Sequence, residues 1–113
     1  MKISICLRNI NTNEIDTVYI EKPNNLRCFK YVDSYNCDCQ MHIFDDELSF
    51  LRKSTDHELQ LHFGKTNYAK IISNEGEISI DIKLVDFIVN DDIVVVRYII
   101  ENEEREIKID YRS

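Results

Sequence analysis

The sequence predicts an all-β protein, an antiparallel meander closed into a small up-and-down barrel of about 8 to 10 strands. Three observations carry that expectation. Apolar and polar residues alternate with period 2 along most of the chain, the pattern of strands with one buried face. Short clusters of Asn, Asp, Glu and Gly separate the alternating runs at intervals of roughly 8 to 12 residues. No segment carries the i, i+3, i+4 apolar stripe and caps of a long helix.

The first run sets Ile3, Ile5 and Leu7 against Lys2, Ser4 and Arg8. Farther on, Leu59, Leu61 and Phe63 alternate with Glu58, Gln60 and His62, and Ile78, Ile80, Ile82 and Leu84 alternate with Glu77, Ser79, Asp81 and Lys83. The last strand sets Ile107, Ile109 and Tyr111 against Glu106, Lys108, Asp110 and Arg112. Turn residues that bond their own backbone or tolerate tight conformations fall between the runs, at 9–13, 23–25, 45–47, 54–56, 64–66, 74–76, 90–92 and 102–104. Eight such turns imply about nine strands. Loops this short join only antiparallel neighbours, because a parallel crossover needs about a dozen residues or more. Closing the meander on itself would remove its two unpaired edges, which favours a barrel over an open sheet, with a β-sandwich as the alternative.

Two places depart from simple alternation. The apolar parity shifts between Leu84 and Val85, which predicts a bulge or bend. From Ile93 to Ile100 both parities are apolar, with Val94, Val96, Tyr98 and Ile100 on one face and Ile93, Val95 and Ile99 on the other. A strand of that kind is covered on both sides. Either another part of the chain lies over it or Ile93, Val95 and Ile99 form a homodimer interface.

At 113 residues, with 43% hydrophobic and 31% charged residues and one proline, the chain is expected to form a single folded domain spanning 1–113. No apolar run approaches the roughly 18 to 20 residues of a membrane span, and the first residues start a strand pattern rather than a signal segment. A cytoplasmic location and no membrane partner are therefore expected. The formal net charge of −7 repels phosphate backbones, so no nucleic-acid partner is expected. Four cysteines in a reducing compartment should remain thiols.

The stretch from Tyr31 to Tyr111 resembles the YwiB-like family of uncharacterised bacterial proteins. The likeness rests on Tyr31-Val32-Asp33-Ser34 as an aromatic-acidic strand end and on the apolar-Arg strand Leu48-Ser49-Phe50-Leu51-Arg52-Lys53-Ser54. It also rests on His62-Phe63-Gly64 followed by Tyr68, and on Asn74-Glu75-Gly76 opening a strongly alternating strand. Ser54 stands where the family pattern has glycine, and the segment holding Cys28, Cys37 and Cys39 has no counterpart in it. The resemblance implies a calycin-like barrel of about eight or more strands within a superfamily of ligand binders, and it supplies no activity.

Cys37 and Cys39 share a face of one strand, and with Cys6, Cys28, His42, His57 and His62 the chain has soft ligands enough for zinc. Yet Cys37 and Cys39 have the parity of Met41 and Ile43, which suits small buried hydrophobes, so no metal site and no cofactor are expected. His42 and His62 alternate with apolar neighbours and should face solvent, while His57 belongs at a strand end. Arg52 has the parity of Leu48 and Phe50, which aims its guanidinium inward, where it needs a carboxylate or an anionic ligand. Tyr31, Tyr35, Tyr68 and Tyr98 could supply hydroxyls to the same region, or serve as core or rim aromatics.

Only Gly64 and Gly76 are present, too few for Gly-rich phosphate loops, and no nucleophile, base and orienting residue can be placed together. The sequence reading is therefore a non-enzymatic barrel that binds a small, anionic ligand near its mouth through Arg52, Tyr31, Tyr68 and Tyr98. Bulky inward residues leave little interior space and keep any ligand shallow. The alternative is a structural or interaction module that acts as a homodimer through Ile93, Val95 and Ile99.

Overall fold

The computed structural model describes residues 2–112, which form eleven strands and no helix. In chain order these are β1 (Lys2–Asn9), β2 (Ile15–Glu21), β3 (Cys28–Val32), β4 (Asp38–Ile43), β5 (Leu48–Lys53) and β6 (His57–Phe63). They continue with β7 (Tyr68–Ser73), β8 (Gly76–Ile80), β9 (Ile82–Val89), β10 (Ile93–Ile100) and β11 (Glu103–Asp110). The chain divides into two compact units, one made of 1–24 with 83–113 and the other of 25–82. Among the described residues no helix is long and apolar enough to cross a membrane.

The first unit is a five-stranded sheet in the order β2-β1-β11-β10-β9. Its central event is the antiparallel pairing of the first strand with the last, in which Ile5 lies opposite Ile109 and Leu7 opposite Ile107. On one face Ile3, Ile5, Val94, Val96, Ile107 and Ile109 are each at most 1% exposed. The turn between β10 and β11 has two residues, Glu101 (φ 51°) and Asn102 (φ 65°), both left-handed. That conformation matches the right-handed twist of a two-residue hairpin.

The second unit is a six-stranded meander in the order β3-β4-β5-β6-β7-β8. Phe29, Tyr31, Cys39, Met41, Leu48, Phe50, Leu61, Phe63 and Ala69 line its buried face. Neither sheet closes on itself, so the hydrogen-bonding shows an all-β antiparallel protein of two sheets.

Eleven strands exceed the expected 8 to 10 because two breaks interrupt runs that look continuous. The chain reverses over 33–37, and the run from Ile78 to Leu84 is cut at Asp81, where it leaves one sheet and enters the other. The parity shift expected near Leu84 and Val85 is present: Ile82 and Leu84 are half-buried, Val85 and Asp86 are both exposed, and Phe87 and Val89 are half-buried. On β10, Val94, Val96 and Tyr98 are buried, whereas Ile93, Val95 and Ile99 are half-buried. Val95 and Ile93 lie beside Lys108 and Asp110 of β11, whose long or polar side chains flank that face.

Burial sets an expectation for stability. Ile107→Ala, at a fully buried position, should cost about 2 to 5 kcal/mol. Ile78→Ala, at a side chain 63% exposed, should stay within about 0.5 kcal/mol. Urea denaturation of the two variants reads the difference, and equal losses would contradict this assignment of the buried face.

Candidate functional site

The second unit concentrates its chemistry at the turn from β3 to β4. Asp33 follows the last residue of β3, and its backbone N–H and C=O bond Cys37 and Asn36 across the reversal. Asn36 takes the left-handed φ of 62° that the turn requires and that asparagine tolerates well. The Asp33 side chain then folds over its own turn, with Oδ1 accepting from the backbone N–H of Tyr35 at 3.0 Å and of Cys37 at 2.9 Å. An aspartate that bonds the N–H two residues on is a standard device for fixing such a turn.

The other carboxylate oxygen faces two side chains. Arg52 Nε donates to Oδ2 at 2.7 Å, and the Cys39 thiol lies 3.7 Å from the same oxygen. Strand register brings these groups together, since Tyr31 on β3 lies opposite Cys39 on β4, and Cys39 lies opposite Arg52 on β5. The Asp33 side chain is 1% exposed and that of Arg52 29%. Burial would push the Asp33 carboxyl up, but the Cys37 N–H, the Arg52 guanidinium and the Tyr35 N–H outweigh it and hold the group below its usual range. Burial likewise works against the charge of Arg52, and Asp33 more than restores it.

Cys39 shows the opposite outcome. Burial, reinforced by the negative charge of Asp33, pushes its thiol up to about 12, even though the nearby Tyr31 hydroxyl and Arg52 favour the thiolate. The sulfur is therefore a protonated donor to the carboxylate, and Cys37 and Cys39, 7% and 3% exposed, are packed as the sequence reading expects. The four cysteines are free thiols, and no group of three or more His, Cys, Asp or Glu placed to hold a metal occurs among the described residues.

Of the residues singled out from sequence, Arg52 and Tyr31 share this cluster. Tyr68 lies on the other face of the sheet, where its ring stacks on His62 at 5.2 Å and Lys70 sits 5.1 Å from its centre. Tyr98 belongs to the first unit, on β10, where burial pushes its hydroxyl up to about 12. Tyr35, also named from the sequence as a hydroxyl donor for this region, does join the cluster: its ring is 72% exposed and lies 5.6 Å beneath the Arg52 guanidinium. The sequence reading missed Asp33 as the partner of Arg52. The run Asp33-Ser34-Tyr35-Asn36 holds three turn-forming residues in four, and that was the available signal.

The solved crystal structure of the ywiB protein from Bacillus subtilis is similar to this chain. The superposition covers 96% of this chain and 87% of that one, with a TM-score of 0.43 and 12% sequence identity. No protein-family model and no curated protein matches the chain. The chemistry of the site therefore rests on its own residues.

What the cluster can do is fixed by which donors are already engaged. Asp33 has donors on both oxygens, whereas Arg52 uses only Nε, and neither of its η nitrogens bonds a described residue. Arg52 is thus a charge anchored from one side, with further donor capacity toward a planar anion.

The sign of the pH dependence follows from Asp33, which is harder to protonate folded than unfolded. Its stabilisation is complete above the unfolded carboxylate value near pH 4 and drains away as pH falls through the lower folded value. Asp33→Asn keeps an acceptor for the two N–H groups but removes the charge facing Arg52. It should cost roughly 2 kcal/mol at neutral pH and reduce the slope of unfolding free energy against pH below about 4. Urea titrations across that range test it, and an unchanged slope would exclude Asp33 as the titrating group.

Proposed function

We propose that this protein is a binding module rather than an enzyme, and that its second unit holds a small anionic ligand on Arg52. The observation that carries this reading is the division of the guanidinium, with Nε committed to a buried carboxylate and the η nitrogens uncommitted on a side chain that is partly exposed. A carboxylate or phosphate oxygen pair matches that fork better than any point charge. The exposed ring of Tyr35 gives the ligand an aromatic surface beside the cation. Tyr31 belongs to this reading as a supporting residue through Cys39. Tyr68 and Tyr98 do not. The calycin-like barrel implied by the resemblance belongs to the same proposal, as does a cytoplasmic setting without nucleic-acid, membrane or cofactor partners.

A titration of the protein with acetate, citrate and inorganic phosphate, followed by backbone amide chemical shifts, tests the site. Saturable shifts are expected at 33–39 and around Arg52, lost in Arg52→Gln and weakened severalfold in Tyr35→Ala. Tyr35→Ala changes an exposed ring and leaves the Asp33 pair in place, so it separates ligand binding from folding. The absence of saturable shifts with all three anions would overturn the reading.

A second reading retains the homodimer through Ile93, Val95 and Ile99. It is favoured by a concavity of ≈ 510 Å³ lined by Ile99, Leu84, Val85 and Lys83, beside a Val85 side chain that is 46% exposed. Sedimentation should then show a dimer that Val95→Lys converts to monomer, whereas a monomer at every concentration would exclude it.

A further inference from the structure

At one end of the first sheet, the turn between β1 and β2 is latched onto the start of β11. Ile10 N–H donates to the Glu104 carbonyl at 2.9 Å, Glu104 N–H donates to Asn11 Oδ1 at 2.8 Å, and Asn9 Nδ2 donates to Glu103 Oε2 at 2.7 Å. The turn also closes on itself, because Asn9 Oδ1 accepts from the N–H groups of Asn11 and Thr12. Contacts from three successive residues make this turn a fixed wall beside β11.

The concavity of ≈ 510 Å³ lies against this wall, lined by Asn11, Glu104 of β11, Asn102 of the following hairpin turn, Ile99 of β10, and Lys83 and Val85 of β9. That volume lies in the usual range for small-molecule sites, about 300 to 1,000 Å³. The strand order β11-β10-β9 sets Glu104 and Lys83 two strand spacings apart, roughly 10 Å. Ile99, on the strand between them, is paired with Glu104. Across the strands the lining therefore reads anion, apolar surface, cation, with the 46% exposed Val85 adding to the apolar part.

Both charges are uncommitted. The carboxylates that flank Glu104 on β11 are engaged, Glu103 with Arg105 at 3.0 Å and Glu106 with Arg97 at 3.3 Å. The side chains of Glu104 and Lys83 form no ion pair among the described residues, either with each other or with a third group. A fixed wall, an apolar floor and two opposite charges without partners thus meet in one concavity.

We infer that this concavity binds a short linear zwitterion of the ω-amino acid class, with an ammonium at one end, a carboxylate at the other and methylenes between. The ligand carboxylate meets Lys83, its ammonium meets Glu104, and its methylenes lie over Ile99 and Val85. One ion pair at an exposed surface contributes little, because solvent screens it and long side chains lose freedom in making it. Two pairs made by one molecule reinforce each other, since the first holds the free end close to its partner. Every lining residue belongs to the first unit, so the site is independent of Arg52.

The test is a titration of the full chain with ε-aminocaproate, caproate and n-hexylamine, followed by backbone amide chemical shifts. Saturable shifts at 83–85, 99 and 102–104 are expected with ε-aminocaproate, at an affinity severalfold above that for either singly charged analogue. Lys83→Glu and Glu104→Lys should each abolish that preference. Combining them exchanges the two charges and should restore it with the ligand reversed, a rescue that a merely structural role would not give. Arg52→Gln should leave the binding unchanged. Equal affinity for caproate or n-hexylamine, no saturable shifts, or a double variant that stays as weak as the single ones would overturn the inference. So would binding that disappears as rising protein concentration produces a dimer, because a second copy would then fill the concavity.

Discussion

A carboxylate whose side chain is 1% exposed has to be met by donors, and that requirement organises one end of the second unit. Asp33 meets it locally through the N–H groups of Tyr35 and Cys37, which closes its own turn, and at longer range through Arg52, nineteen residues on. The local bonds fix where β4 begins. The long-range one fixes how β5 must lie for its arginine to reach back across β4. Remove the charge and each of these has a weaker reason to hold, because the guanidinium is itself a partly buried cation whose charge Asp33 sustains. Turn, register and charge balance are three expressions of one interaction.

Much of this architecture was legible in the chain because alternation is a local signal. The runs around Ile3 to Leu7, Leu59 to Phe63 and Ile107 to Tyr111 each declare a strand and its buried face without reference to any partner. What alternation does not encode is which strand pairs with which. The pairing of β1 with β11 joins opposite ends of the chain, and nothing in either run announces it. The cut at Asp81 was hidden for a related reason. Ile78, Ile80, Ile82 and Leu84 keep perfect parity through it, so the break is a change of sheet with no change of pattern. The reversal at 33–37 was concealed in the same way, because Tyr31, Asp33, Cys37 and Cys39 all keep odd parity across it.

The site was legible to a similar depth. Parity alone aimed Arg52 at the buried face and electrostatics demanded a partner, both of which Asp33 satisfies. The partner's identity depended on a turn that had not been placed. The tyrosines illustrate the limit more sharply. Tyr31 and Tyr68 look equivalent as aromatics near strand ends, yet register sends one to the face of Arg52 and the other to the face of His62. A side-chain inventory cannot separate them until the pairing is known.

The same rule explains why two cysteines in one sheet have different chemistry. Cys39 and Cys28 stand on neighbouring strands, separated by a pleat that turns one inward and the other outward. Inward, Cys39 meets a buried carboxylate, and both desolvation and like charge oppose its thiolate. Outward, Cys28 meets the His42 imidazole and open solvent. The negative charge that stabilises the turn through Asp33 thus silences the thiol on its own side of the sheet. On the other side, strand register sets the His42 ring against Cys28. An overall charge of −7 says nothing of either environment, because both are set within a few ångströms by which residues the pleat brings face to face.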